Sequence, residues 1–215
     1  MNINVIKSDN TSEKLDLTKI LRWSNWAAEN CPDLSLETLV TSVASSFFDG
    51  MTTNDITIAL CKTCEDLSAI SAQQKDYKLT RQYFELSRNL YIPNIIKKAN
   101  KFHSANIPDS EIIADHFLIS PTNAIPLNRY SIKSILQLGI NEEMYDSELL
   151  NGNLHEDLFK EVDKLIDYSR MNLLYFNGLR QLEEKYLTNI DGQLIEDPQQ
   201  HFALIALTLV HADST

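Results

Sequence analysis

"KYLTNIDGQLIEDPQQHF", residues 185–202, packs three structural signals into eighteen positions. Asp191-Gly192 lies between "LTNI" and "QLIE", and an Asp-Gly pair flanked by strand-forming residues predicts a two-residue hairpin turn. Asp197-Pro198-Gln199-Gln200 follows as a helix start: an acidic N-cap, a proline at the first helical position, and a glutamine placed to return to the cap. "KYL" closes a preceding helix, and "ALIALTLVHA" at 203–212 carries the next one on. That last helix is apolar at nearly every position through "HFALIALTLV", so it is expected to be buried on most sides. So careful a lead-in, close to the final Thr215, predicts that the segment feeds into further structure.

Working outward, the pattern stays helical. "INVIKSDNTSEKLDL", residues 3–17, alternates apolar and polar residues around "SDNTS", which predicts two short strands and a turn with Asn10 in the left-handed region. From Thr18, Ile20, Leu21, Trp23, Trp26 and Ala27 recur at helical spacing. "SLETLVTSVASSFF" predicts a second helix capped by Ser35. "TNDITIALCKTCEDLSAI" predicts a third, capped by Thr53 or its neighbour, and "KDYKLTRQYFELSRNLY" a fourth that ends near Pro93. Residues 1–91 therefore read as a hairpin followed by four helices. Residues 92–125 are less regular: "IPNIIKKANKFHS" and "DSEIIADHFL" are expected as helices, and "ISPTNAIP" as a linker. Residues 126–215 read as helices in "RYSIKSILQLG", in "HEDLFKEVDKLIDYSR" (with Leu158, Phe159, Val162, Leu165 and Ile166 on one face) and in "NLLYFNGLRQLEEKYL", with the Asp-Gly hairpin near the end. The fold class is mainly α.

Composition excludes more than it assigns. The 215 residues are 43% hydrophobic and 23% charged, with a net charge of −11. An acidic chain without a basic run repels phosphate backbones, so nucleic acid is an unfavourable partner. No apolar run reaches the roughly 20 residues a membrane span needs, and the N-terminus lacks the pattern of a signal peptide. Three cysteines suit a reducing cytoplasm. Five isolated glycines leave no phosphate-binding loop of the P-loop or GxGxxG kind. Cys61-Lys62-Thr63-Cys64 has no second pair to complete a zinc site and sits mid-helix, so both cysteines are expected as small core residues. The carboxylates of Glu156-Asp157, Glu161-Asp163 and Glu183-Glu184 are expected on solvated helix faces, and Trp23 and Trp26 in the core. None of these residues reads as a catalytic group or a metal ligand.

Two segments carry a resemblance. "VIKSDNTSEKLDLTKI", with "WAAE" at 26–29 and "FFDGMTTNDI" at 47–56, resembles the ATP-cone, a small nucleotide-sensing domain. "QLEEKYL…DGQLIEDPQQHFAL", with Arg170 upstream, is similar to the stretch that follows the cone in the large (alpha) subunit of class I ribonucleotide reductases. The resemblance covers roughly residues 3–91 and 126–212 and leaves 92–125 as an insertion or linker of unassigned role. It implies an N-terminal β-hairpin plus four-helix cone that binds ATP or dATP as allosteric effectors, with no cofactor in this chain. By position it implies nucleotide-binding roles for Lys7 on the first strand, Glu13 beyond the hairpin tip, Lys19 and Ile20 at the first helix start, and Thr53 at the third. Glu13 would accept a hydrogen bond from the adenine amino group. Three positions depart from the family pattern: Asn10 stands for the hairpin glycine, Thr57 for a histidine and Asn89 for a lysine. An altered cone is therefore expected, one that binds ATP without imposing dATP inhibition.

The family's chemistry uses a thiyl radical and a redox-active cysteine pair in a barrel beyond this region. This chain is thus expected to act as the N-terminal fragment of a split reductase, inactive alone and docked onto a separate chain that carries the barrel. A radical-generating small subunit would complete the holoenzyme. The alternatives are a stand-alone nucleotide-binding regulatory protein and a structural piece with a degenerate cone.

Overall fold

The computed structural model describes residues 3–120, 124–151 and 156–213. It is mainly helical, with a small N-terminal sheet and short hairpins, and the chain divides into two compact units. The first holds Met1–Asn94 and Leu174–Leu179, the second Ile95–Leu173 and Arg180–Thr215.

The first unit begins with β1 (Asn4–Ile6) and β2 (Ser12–Lys14), antiparallel, with Asn10 at φ 64° in the turn. Asn tolerates that left-handed conformation because its short polar side chain bonds locally. Four helices follow: α1 (Leu17–Ala27), α2 (Leu36–Ala44), α3 (Thr53–Gln73) and α4 (Tyr77–Asn106). Asp16 caps α1, and Ser35 caps α2 as expected, its hydroxyl accepting from the Thr38 N–H. One element escapes the sequence pattern. Residues Met51–Thr52 form β3, which joins β1 in parallel, so the sheet order is β2-β1-β3. Two residues are too few for any periodicity to register.

The fourth helix does not stop near Pro93; it runs through that proline to Asn106. An interior proline loses one hydrogen bond and crowds the carbonyl four residues back, at about 3 kcal/mol. Leu90, Tyr91, Ile92, Ile95, Ile96 and Ala99 are all at most 2% exposed. Each large apolar side chain so buried contributes roughly 1.5–3 kcal/mol, which outweighs the kink. Cys61 and Cys64 are fully buried core residues, as expected. Trp23 and Trp26 are not: both are half-buried and stack in parallel, with ring centroids 4.6 Å apart.

In the second unit "DSEIIADHFL" is not a helix. A 3₁₀ turn at Asp109–Glu111 leads into β4 (Ile112–Ala114) and β5 (Phe117–Leu118). These pair with β7 (Arg129–Tyr130) and β6 (Ala124–Ile125) respectively, so the proline-bearing "linker" supplies a strand; its residues 121–123 lie outside the described ones. The β-branched pair Ile112-Ile113 suits a strand better than a helix. Then come α5 (Ile132–Asn141), α6 (Glu148–Asn151), α7 (Glu156–Leu165), a 3₁₀ segment at Tyr168–Leu173 and α8 (Phe176–Lys185), whose residues up to Leu179 belong to the first unit. The expected helix start at His155 is outside the described residues. Along α7 Phe159 is buried, and Leu158, Val162 and Ile166 pack beside it, but Leu165 is 66% exposed. Two carboxylates expected in solvent are not. Glu183 pairs with Lys98 at 2.5 Å, and Asp163 accepts the Ile132 N–H at 2.8 Å, serving the start of α5.

The hairpin of 185–202 is present as read: β8 (Asn189–Ile190) pairs with β9 (Gln193–Leu194), with Asp191 at φ 50° and Gly192 at φ 79°. Both turn residues are left-handed, the signature of a type I′ turn. Helix α9 (Pro198–Asp213) starts with the reciprocal cap: Asp197 accepts from the Gln199 and Gln200 N–H groups, and the Asp197 N–H donates to Gln200. The helix is not buried on most sides. Leu204 and Leu207 enter the core, but Phe202, Ile205, Leu209 and Val210 are 44–62% exposed.

Candidate functional site

Four of the five residues singled out by the resemblance gather at one end of the N-terminal sheet. Lys7 leaves β1, and Glu13 sits on β2 opposite Val5. Because β3 pairs in parallel with β1, Ile6 faces Thr52, and the next residues along the two strands are Lys7 and Thr53. Lys19 comes from the first turn of α1 and reaches the same carboxylate as Lys7. Glu13 accepts from Lys7 Nζ at 2.8 Å and from Lys19 Nζ at 2.9–3.0 Å. The three side chains are 33–55% exposed. The hydrogen bond to Glu13 holds the Lys7 ammonium above its ordinary pKa, and Lys7 in turn holds the Glu13 carboxyl below its own. The two ammoniums sit side by side in a chain of −11, sharing Glu13, with Asp9 also acting on Lys7 through space; a lysine pair of this kind is what an anionic ligand would use.

The fifth residue is elsewhere. Ile20 is 7% exposed and belongs to the core, on α1 next to Lys19. Thr53 is the first residue of α3 and not its cap. Thr52 is the cap: its hydroxyl accepts from the Asp55 N–H, and the Asp55 carboxylate takes the Thr52 N–H and hydroxyl in return. The helix start thus already carries a carboxylate, and the lysines rather than the α3 N-terminus are the available anchor for an anion. The "TTND" pattern holds this capping box, and a threonine followed three residues later by an acid is the signal that identifies it.

The two other positions that depart from the family pattern are engaged internally. Thr57 Oγ1 bonds the Thr53 carbonyl at 3.0 Å, and Asn89 Nδ2 donates to the Ala27 carbonyl at 2.8 Å. Asn94 donates to Asn54 at 2.9 Å, tying α4 to the start of α3 within the first unit. A long-range pair of amides has no sequence signature.

In the second unit, three successive residues ahead of α9 are each held by a different segment. The Ile195 carbonyl meets His103 Nε2 at 2.8 Å. Glu196, fully buried, accepts from the Tyr145 hydroxyl at 2.6 Å and the Thr188 N–H at 2.8 Å, and pairs with His201 at 2.7 Å. Asp197 accepts from the Tyr168 hydroxyl at 2.8 Å. Burial pushes the Asp197 carboxyl up to about 6 and the His103 imidazole down to about 4. Every oxygen and nitrogen named is spent on another protein group, so the cluster is a fastening. A cleft of about 520 Å³ in the same unit is lined by Pro108, Glu111, Lys133, Ser134, Gln137 and Glu156, among others. Its lysine is paired with Glu156 and Ser134 bonds Glu111; none of the five candidate residues lines it. Among the described residues no group of His, Cys, Asp and Glu side chains could hold a metal ion, and no helix is long and apolar enough to cross a membrane.

No family model matches the chain. Curated relatives do. The chain is 29% identical over 211 residues to ribonucleoside-diphosphate reductase 1 subunit alpha of Escherichia coli (strain K12), covering 97% of this chain and 23% of that protein. It is 29% identical over 216 residues to ribonucleoside-diphosphate reductase subunit alpha of Enterobacteria phage T4, at 98% and 24% coverage. The large subunit of Dictyostelium discoideum matches at 21% over 208 residues, 94% and 20%. The chain therefore spans under a quarter of the length of these relatives. It is a homologue, over nearly its whole length, of part of the ribonucleoside-diphosphate reductase alpha subunit, consistent with an N-terminal portion.

Proposed function

We propose that this chain supplies the nucleotide-sensing N-terminal part of a ribonucleoside-diphosphate reductase alpha subunit, working with a separate chain that carries the catalytic barrel and with a radical-generating small subunit. The carrying observation is the convergence of Lys7, Glu13 and Lys19, beside the start of α3, at one end of the β2-β1-β3 sheet. Two ammoniums there are matched to the phosphates of ATP or dATP, with Thr53 beside them and Glu13 facing the base. Chemistry would come from the barrel chain. Cys31, Cys61 and Cys64 are buried, and burial pushes the Cys31 thiol up to about 11 and Cys64 further up. Buried thiols of raised pKa are poor nucleophiles, which supports a role for this chain other than the chemical step.

The exposed face of α9 supports the docking half of the reading. Phe202, Ile205 and Leu209 recur at i, i+3 and i+7 on a helix with no lysine, arginine or glutamate, the pattern of a helix that packs into a partner. A tagged chain recovered from extract of its native host is expected to bring down a near-stoichiometric barrel chain with reductase activity, and Leu209→Glu to lose both. Recovery of the chain alone, soluble and monodisperse, would sink the split-subunit reading and favour a stand-alone sensor. The internal bonds of Thr57 and Asn89 favour a second reading, a structural piece whose cone no longer binds nucleotide. Saturable ATP binding would exclude it.

A further inference from the structure

Two helices carry the chain from the first compact unit into the second: α4 leaves after Asn94 and α8 after Leu179. They run side by side in the same direction. Within the first unit the Tyr91 ring meets Phe176 edge-on at 4.9 Å, and within the second Lys98 pairs with Glu183 at 2.5 Å. The two contacts are seven residues apart on each helix, about two turns. By that register Pro93 lies level with Gly178. Both residues weaken their helices. Pro93 has no N–H to give to the Asn89 carbonyl. Gly178 brings backbone freedom to the first turn of α8, and a Cβ there would meet nothing within 4 Å, so packing does not require a glycine. The remaining crossing, from Leu173 to Leu174, falls where the 3₁₀ segment ends and α8 has not begun. At the same level each helix is fastened to α3 by an asparagine: Asn94 donates to Asn54 at 2.9 Å and Asn177 donates to Glu65 at 2.7 Å.

We propose that Pro93 and Gly178 form a two-helix hinge between the compact units, with the Asn54–Asn94 and Glu65–Asn177 bonds as its latches on α3. A hinge through two adjacent helices needs a compliant point in each at one level, because a stiff helix beside a kinked one blocks the bend. A bend at Pro93 carries Asn94 away from α3, so the Asn54 bond has to open before α4 turns. Asn177 precedes Gly178, so its bond keeps the first turn of α8 with the first unit while the rest of the helix turns. Neither latch is fully buried, and single hydrogen bonds of this kind contribute modestly. They hold the hinge without freezing it.

The test is a spin-label distance measurement on the full chain, by double electron–electron resonance. Labels are placed through Glu37→Cys and Gln137→Cys, exposed positions in the first and second units; the native cysteines are buried and stay unlabelled. A control pair, Glu37→Cys with Asp66→Cys, lies within the first unit. Replacing Asn94 and Asn177 by alanine is expected to broaden the inter-unit distances, with bent conformers rising roughly three- to tenfold per bond lost, and to leave the control pair unchanged. Adding Pro93→Ala and Gly178→Ala puts strong helix formers at the hinge and is expected to narrow the inter-unit distribution again. Should the double asparagine variant not fold, Asn177→Ala alone, which removes only the exposed bond, reads the same distances. An inter-unit distribution unchanged by loss of the latches, or left broad by the added alanines, overturns the hinge. Broadening of the control pair overturns it too, because the two bonds would then be ordinary supports of the first unit's fold.

Discussion

Two charged clusters, one in each compact unit, use the same residue types in opposite ways. At the sheet end of the first unit, Glu13 and two lysines are partly exposed and pair with one another. Ahead of α9 in the second unit, Glu196 and Asp197 are at most 1% exposed, and Thr188, Tyr145, Tyr168 and His201 are all committed to them. Exposed ion pairs contribute little to stability, so exchanging them for a ligand costs little. Buried charges are stable only while every partner is in place, so they fix geometry and leave nothing to spare for a ligand. Reactive potential here lies with the loosely held charges, and architecture with the tightly held ones.

The largest expected effect comes from breaking the buried side. Glu196→Ala strands the Tyr145 hydroxyl, the Thr188 N–H and His201, and is expected to destabilise the protein by about 3–5 kcal/mol in urea unfolding. A loss below about 1 kcal/mol would place the network among dispensable contacts.

A middle-sized effect follows from pH. His103 has a folded pKa near 4, below its ordinary 6.5, so its contribution is present above 6.5 and is lost as pH falls toward 4. Asp197 is shifted the other way, from 3.8 to about 6, so its contribution is present below 3.8 and is lost as pH rises through 6. Between pH 6.5 and 4 the two oppose each other. Asp197→Asn keeps an N-cap side chain but removes the ionisable carboxyl, and should lose about 2–3 kcal/mol more than wild type as pH falls across that window. Equal pH profiles for the two proteins would contradict the burial of that carboxyl.

What the sequence makes legible divides along similar lines. The Asp191-Gly192 turn, the Ser35 and Asp197 caps and the turn at Asn10 are decided by atoms within four residues, and the sequence carries them openly. The passage of α4 through Pro93 depends on apolar burial supplied by distant segments, and so does the strand at Met51–Thr52. The buried fastening of Glu196 joins residues 5, 8 and 51 positions apart, and nothing local marks it. The lysines and Glu13 stand out only through family resemblance, because two lysines and a glutamate on a surface have no pattern of their own. The resemblance also places Ile20 among the ligands; it is 7% exposed, in the core next to Lys19.

The smallest expected effect returns to the exposed side. Replacing Lys7 and Lys19 together by alanine removes both ion pairs and should move the melting temperature by no more than about 2 °C. A larger drop would mean that the triad is a structural fastening after all.

That double variant also provides the most direct measurement: calorimetric titration of ATP into the full chain, wild type against Lys7→Ala/Lys19→Ala. The account predicts saturable binding of one ATP by the wild type and its loss in the double variant with the fold intact. A wild type that binds no ATP, or a double variant that binds it as well as the wild type, would contradict the assignment of the sheet end as a nucleotide site.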